Sequence, residues 1–464
     1  MTEAASDRSH LDASGPLRWN LRAQTDAARA AIDGLVERLE EVEAQAGKRT
    51  RKRKAADRQR LWVTMEAMTL GLFNAYASPR PWRGYPRGKE ELSHFPDHSE
   101  VTGTTVATIA DFLVREGLAD ARRGGFDKEY GRGLRSRLKA TSALYSLLAV
   151  ERGLTAVDIV SAPVNMPVQL RGAKDANGRK PLLPFDKKPA IEAAEQRVLD
   201  GNALRASCDI SLEGGWAFAD REEQADDVAA ERADPTDRYA VHLYRVFSEG
   251  GFRSGGRFYG GFWQALRKAD RKRLLIDGEE TVELDFQACH IRMCYQIDGA
   301  PLPADYDPYT IPGIAPQHRG AVKGLLLRWL GSGPSSRIRR PEALADWSRK
   351  DYDRFRQRIT DAHPQITSWT RAGHWATLQW FDSRIADAIM ADLTAQGIPC
   401  LPVHDSFIVP LSAEQAARDA MVKGWCGVMA EEGAAKADPV ITGGSSKGGA
   451  RAPCPQPSLP QPRS

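Results

Sequence analysis

The chain has 464 residues, room for two or three domains that each bury a core, with 27% charged and 42% hydrophobic residues, the balance of a globular protein. A net charge of +4 does not by itself point to a polyanion, and no run approaches the ~20 apolar residues of a membrane span. Six cysteines include no C-x-x-C pair and no His/Cys cluster at zinc spacing, so they read as reduced core thiols; with no signal peptide in the polar start, a cytoplasmic protein is expected.

Residues 1–15 are polar and predict disorder. From 17 to 60 the spacing of Leu35, Leu39 and Val42 predicts one long helix, whose end is strongly basic: eight of thirteen residues from Lys48 to Arg60 are Lys or Arg. Such a run suits either a polyanion or solvent. A compact unit is expected over 61–154. Within it, 104–116 predicts an amphipathic helix with Val106, Ile109, Ala110, Leu113 and Val114 on one face, and Gly117 stands where a helix ends. Short extended pieces follow, joined by glycine pairs and decorated with Arg122, Arg123, Arg135 and Arg137. A helix followed by a basic, glycine-tipped hairpin resembles the winged-helix domains of plasmid and phage replication proteins. That resemblance makes these four arginines expected DNA contacts; helix-plus-hairpin units also serve as protein–protein modules.

Residues 155–237 predict a connecting, thumb-like region with a helix at 188–202 and an acidic linker near 225–236. The apolar content rises over 238–436, and from 437 to 464 the Gly, Ser, Pro and Gln composition predicts a disordered tail.

Two acidic motifs lie in 238–436. In TVELDFQACHIRMCYQIDG, Asp285 follows a short extended run and precedes a helix; in GIPCLPVHDSFIVPL, His404-Asp405 sits at the bend of a strand–turn–strand. Two carboxylates presented to one cleft suit a pair of Mg²⁺ ions about 3.5–4 Å apart. Each motif has a plainer reading. An Asp after a strand also caps a helix, and an HD dyad also occurs in metal phosphohydrolases, where it lies on a helix rather than between apolar strands.

D-x-x-x-x-H-I-R at 285–292 resembles the first palm motif of family A DNA polymerases, and V-H-D-S-F at 403–407 resembles the last palm motif of that superfamily in its phage-type single-subunit RNA polymerase form. Between them, DPYTIPGIAPQHRGAVKGLLLRWLGSG resembles the fingers helix, with Arg319 and Lys323 on one face at i, i+4; SGGRFYGGF at 254–262 resembles the G-R-x-Y element at the palm entry. The four elements stand in the family's order. The resemblance implies an α+β fold: an antiparallel-sheet palm with helical fingers, preceded by the long helix and the winged-helix-like domain.

It also implies a template-dependent nucleotidyltransferase, DNA or RNA polymerase or primase, of a phage, plasmid or other mobile element. Mg²⁺ (or Mn²⁺) would be held by Asp285 and Asp405. Lys323 and Arg319 would meet the triphosphate of a dNTP or NTP, and Arg257, Tyr259, His290, His404 and Gln379 would meet nucleotide, primer or template DNA. An exposed basic helix face is the plainer reading of Arg319 and Lys323, and a glycine-rich turn with an aromatic plug that of Arg257 and Tyr259. Arg292 is expected to pair with a carboxylate as support. Departures from the family leave the sugar open: His290 stands where the DNA enzymes have Glu, and Trp329, Leu330 and Gly331 stand near the usual Tyr-Gly. Two other classes stay in view, a DNA-binding replication initiator or regulator with an inactive palm and a metal-dependent nuclease or phosphohydrolase.

Overall fold

The computed structural model describes residues 14–47, 51–78, 80–87, 101–127, 132–175, 180–215, 237–333, 338–370 and 373–444, a mixed α+β chain of helices and mainly antiparallel sheets. It divides into two compact units, both discontinuous in sequence: the first takes 1–167, 214–244 and 259–271, the second 168–213, 245–258 and 272–464. The expected boundaries near 60, 154 and 237 do not coincide with this division.

In the first unit, β1 (Ser14–Pro16) and β2 (Leu21–Ala23) precede α1 (Asp26–Gln45) and α2 (Ala55–Ala75), so the single helix expected over 17–60 is instead one strand, one whole helix and the start of a second. Local signals explain the breaks. The Thr25 hydroxyl accepts from the Ala28 N–H as an N-cap, and Gly47 takes the left-handed φ of 66° that closes a helix. The basic run is divided accordingly: residues 48–50 lie outside the described residues, and Arg53 is nearly buried against Glu43 (2.6 Å) and Glu40 (3.3 Å). Then come β3 (Trp82–Tyr85), α3 (Gly103–Arg115) and the strands β4 (Ala119–Arg122) and β7 (Ser136–Ala140), which pair as the arms of a hairpin; β5 (Gly125–Asp127) and β6 (Arg132–Leu134) pair between them. β8 (Ile159–Ser161) returns to pair with β2. Ile32, Leu35, Leu39, Met65, Met68, Val106, Ile109 and Leu113 share one core with Leu138, whereas Val114, expected on the buried face, is 39% exposed. In register, Arg122 stands directly opposite Arg137.

The second unit contains β9 (Val168–Arg171), β10 (Leu182–Leu183), α4 (Pro189–Ala206), β11 (Ile210–Leu212), and most of β12 (Tyr244–Ser248) and β13 (Gly251–Tyr259). It continues with β14 (Leu274–Ile276), β15 (Glu279–Phe286), α5 (Cys289–Ile297), α6 (Arg319–Leu330), α7 (Arg349–Ala362), α8 (Trp375–Ala395), β16 (Leu401–Val403), β17 (Ser406–Pro410), α9 (Glu414–Glu431) and β18 (Ile441–Gly443). Its antiparallel six-stranded sheet runs β11-β14-β15-β17-β16, with β18 also on β15. The tail expected to be disordered from 437 thus contributes a strand at 441–443, while 445–464 lie outside the described residues. Cys208, Cys289, Cys294 and Cys400 are free thiols as expected; Cys426 is disulfide-bonded, which the sequence reading did not anticipate. Among the described residues no helix is long and apolar enough to cross a membrane.

Along β15 the burial alternates: Val282, Leu284 and Phe286 are buried while Glu283 and Asp285 are half-buried. Phe286 packs edge-on to Phe407 of β17 (6.2 Å between centroids) and against Trp425 of α9 (5.1 Å), so the apolar face of the sheet is covered and Asp285 is left on the other face. Leu284 is fully buried. Leu284→Ala is expected to cost about 2–5 kcal/mol in denaturant unfolding through the cavity it leaves. An unchanged midpoint would show that this face is not the core.

Candidate active site

Strand pairing brings Asp285 and Asp405 together. β15 and β17 run antiparallel with Asp285 opposite Ser406, and Asp405 is the residue immediately before Ser406. The Ser406 hydroxyl donates to Asp285 Oδ1 (3.0 Å), and the Phe286 N–H donates to the Asp405 carbonyl (3.4 Å). On its other edge Asp285 is matched with Thr442 of β18, so the strand end that carries it is held from both sides. Both acidic turns contain a non-glycine residue in the left-handed region, Ala288 (φ 53°) after Asp285 and His404 (φ 57°) before Asp405. That conformation costs of order 1 kcal/mol and persists where the surroundings impose it.

A third acid, missed in the sequence reading, completes the group. Asp382 on α8 is buried, and its carboxylate takes both the Arg257 guanidinium, through Nε at 3.1 Å and through a shorter Nη2 contact, and His290 Nε2 at 2.8 Å. Arg257 reaches it because β13 kinks at Gly255-Gly256, with φ of 71° and 86°; a Cβ at 256 would lie 2.7 Å from the Ser383 hydroxyl, the neighbour of Asp382. Burial pushes Asp382 up, but Arg257 and His290 outweigh it and hold the carboxyl below the usual range. Asp405 goes the other way. Burial raises it, His290 and Arg257 offset this in part, and Asp382 adds to the rise. The neighbouring Cys289 thiol is buried and pushed well up, which makes it inert at neutral pH. The signal for Asp382 was present: Leu378, Asp382, Ile385 and Ile389 fall at helical spacing on a buried face, and an acid within such a face demands a buried cation.

The segment leading into α6 is ordered around Tyr309, also missed. Its ring is 4% exposed and lies under two cations, Arg319 at 5.3 Å and Lys323 at 5.8 Å from the centroid. Burial raises the Tyr309 hydroxyl, with Cys289 and then Asp405 adding, so ring and carboxylate share one electrostatic neighbourhood. Arg319 is held by both Asp307 oxygens (2.7 and 3.0 Å), and the same bond is the main cause that draws Asp307 down to about 2. Lys323 is exposed and carries no ion pair among the described residues.

The remaining expected residues are placed unevenly. His404 forms the turn beside Asp405. Gln379 is half-buried on α8, three positions before Asp382. Tyr259 belongs to the first unit, its ring tilted beside Tyr244 (6.3 Å). Arg257 is committed to a buried ion pair before any ligand arrives. Arg292 donates to the carbonyls of Pro303 (3.1 Å) and Tyr306 (2.7 Å) and to Gln287 (3.3 Å), holding the loop that leads to Tyr309. Trp329 and Leu330 are both buried.

Removing the Asp382 charge deprives the Arg257 guanidinium of its buried counter-ion. Asp382→Asn is expected to lose about 3–5 kcal/mol at neutral pH. The folded-state carboxyl titrates below its unfolded value, so its contribution is full above the unfolded value and is lost as pH falls through the folded one. Thermal melts across acidic pH should therefore show a shallower acid loss in the variant than in the parent. Parallel curves would mean that the pairing is not formed.

No protein-family model matches this chain, and no curated protein matches it. Among solved structures it is similar to the POL domain of Pol1 from M. smegmatis in complex with DNA primer-template and dNTP, with a TM-score of 0.31 and 12% identity over 45% of this chain and 48% of that one. The chain spans about half the length of that structure, and a likeness this weak adds nothing to what the geometry supports.

Proposed function

We propose that the chain is a template-dependent nucleotidyltransferase with a polymerase-type palm, built on the β15–β17 pair, and with fingers built on α6. The observation that supports this reading best is the pairing of Asp285 with the residue next to Asp405, in a group with Asp382, His290 and Arg257 and electrostatically coupled to Tyr309 beneath Lys323.

The donor set fits a hard divalent cation: oxygen ligands, one of them a carboxylate whose charge burial disfavours. Among the described residues no group of three or more His, Cys, Asp or Glu is placed to hold a metal by itself. Asp285 and Asp405 would hold Mg²⁺, or Mn²⁺, together with water and nucleotide phosphates, which is how Mg²⁺ is usually bound. When bound, the metal supplies charge stabilisation at the transferring phosphate and at the attacking hydroxyl. The hydroxyl of a primer or first nucleotide attacks the α-phosphate of a dNTP or NTP; one P–O bond forms, the anhydride bond breaks and pyrophosphate leaves. Lys323, which has no carboxylate partner among the described residues, neutralises the phosphate charge and protonates the leaving group. Arg319 grips the outer phosphates by exchanging Asp307 for them. His290, fixed on Asp382, and His404 border the sugar, and Gln379 faces the duplex.

Primer extension with Mg²⁺ or Mn²⁺, offering dNTPs and NTPs separately, with and without a primer, tests the assignment. Incorporation is expected in the parent, with a loss of roughly 10³-fold in Asp285→Ala and Asp405→Ala. No incorporation in any arm, with both variants indistinguishable from the parent, overturns it and leaves the reading of a DNA-binding replication initiator with an inactive palm. Metal-dependent loss of a nucleic-acid substrate without triphosphates marks a nuclease instead.

In the first unit we propose that the β4–β7 hairpin binds DNA as the wing of a winged helix, as expected for a protein of a phage, plasmid or other mobile element. Arg122 stands directly opposite Arg137 across the two strands, so the hairpin gathers two arginines at one register position, a placement that suits a phosphate backbone. Combining Arg122→Ala with Arg135→Ala is expected to weaken duplex binding and to lower the slope of log K against log salt, measured by anisotropy, by about 0.9 for each phosphate that is no longer neutralised. An unchanged slope would assign the hairpin to another role.

A further inference from the structure

Beside the N-terminal end of α6 lies a cavity of 540 Å³, bordered by the loop around Gly313, by His318 and Trp347, and by one face of α7. Its volume falls within the range of small-ligand sites. Three rings form its wall: Trp347 stands at 86° to His318 (5.0 Å) and at 80° to Phe355 (5.6 Å). All three meet edge to face, so none is stacked on another. Phe355 is buried and braces the other two from below, while Trp347 and His318 are half-buried. A flat aromatic ligand would find here the stacking surface that the three rings do not use among themselves.

The polar groups of the cavity are of two kinds. Arg354 projects with 59% of its side chain exposed, loosely paired to Asp351 at 3.7 Å, and Arg358 touches the Gly313 carbonyl and has no acid partner among the described residues. Asp346 also lines the cavity without an ion pair among the described residues. Cations thus stand near the aromatic wall to meet phosphate, and a free carboxylate stands by to accept from an exocyclic amine. Aromatic faces interleaved with arginines match single-stranded nucleic acid, in which every base offers a π-face. An apolar peptide would leave Arg358 and Asp346 without partners, and a duplex would hide the bases that the rings fit.

We propose that this cavity receives one unpaired nucleotide, its base against Trp347 and His318 and its phosphate at Arg354 and Arg358, supplied by a single strand. His318 is adjacent in sequence to Arg319, so an occupied cavity would bear on the start of α6. The occupant's place in catalysis rests on the function proposed above; the binding itself does not.

Binding of a 5′-labelled oligothymidylate of about 12 nucleotides to the full chain, followed by anisotropy, tests it. Trp347→Ala should weaken binding about tenfold and Trp347→Phe should hold near the parent, since stacking survives. Arg354→Glu, at an exposed position that folding does not need, should weaken binding and reduce its salt dependence. Competition with thymidine monophosphate separates the two sources of the same chemistry. Trp347-dependent binding of the monophosphate but not of the oligomer would keep the nucleotide site and reject the strand. Binding of both ligands unaffected by Trp347→Ala and Arg354→Glu, in variants folded by circular dichroism, overturns the proposal. Asp285→Ala should leave oligomer binding intact. A parent that never extends a primer yet binds the oligomer through Trp347 removes only the polymerase reading, and extension alongside Trp347-independent binding removes only the cavity.

Discussion

The register between β15 and β17 is the constraint from which the rest of the second unit follows. A strand has a side-chain period of two, so sliding β15 by one residue would carry Asp285 into the core and Leu284 out of it. The apolar side opposes that slip. Val282, Leu284 and Phe286 are buried on one face, with Phe286 set against Phe407 and Trp425. The hydrogen bonds oppose it as well, because β15 is paired with β17 along one edge and with β14 and β18 along the other. Two acids more than a hundred residues apart in sequence are therefore held side by side by the same burial that makes the sheet.

Around that pair the environment separates acids that begin with the same chemistry. Asp382 and Asp405 both lie near His290 and Arg257, and burial raises both. Asp382 is bonded directly to the two bases and is held low, so its charge is fully engaged inside the protein. Asp405 receives only the longer-range part of the same attraction together with repulsion from Asp382, and it ends raised. Carboxyls driven apart in this way take different roles. Asp382 is a structural anion that orients His290 and Arg257; Asp405 is an anion whose charge the protein leaves under-compensated, which is the condition for attracting an outside cation.

The elements of the site were legible because each has a local signature. The alternation before Asp285, the apolar runs flanking His404-Asp405, and the four-residue spacing of Arg319 and Lys323 all reappear as β15, the β16–β17 hairpin and one face of α6. What could not be read was which distant residue answers which. Arg257 looked like a ligand contact and is the counter-ion of Asp382, 125 residues away. Arg292 looked like one arm of an ion pair, and nothing local foretold that it also collects backbone carbonyls of a loop. The helix expected over 17–60 failed for a related reason: the spaced Leu35, Leu39 and Val42 all lie within α1, and the N-cap at Thr25 and the left-handed Gly47 bound that helix on either side whatever the apolar spacing. Tyr309 lay in a Pro- and Gly-rich stretch with no periodicity, and only the folded chain sets it under Arg319 and Lys323.

The pair Asp307–Arg319 shows how a fold bond and a ligand bond can compete for one group. Both Asp307 oxygens bond the guanidinium, and the bond holds Asp307 at about 2, so the pair is fully charged at neutral pH. Arg319 is nevertheless 46% exposed, and a surface pair of this kind contributes only modestly to stability because water screens it. A polyphosphate carries several charges where Asp307 carries one, so it competes for the same planar fork at low cost to the fold. Lys323 needs no such exchange. Under the proposed function the two cations on one helix face would answer a phosphate in different ways: Lys323 by charge already available, Arg319 by releasing an acid. Such a release of Asp307 would couple ligand arrival to the loop that carries Tyr309, since Asp307 also accepts from the Tyr309 N–H at 3.2 Å and from the Thr310 hydroxyl at 2.8 Å.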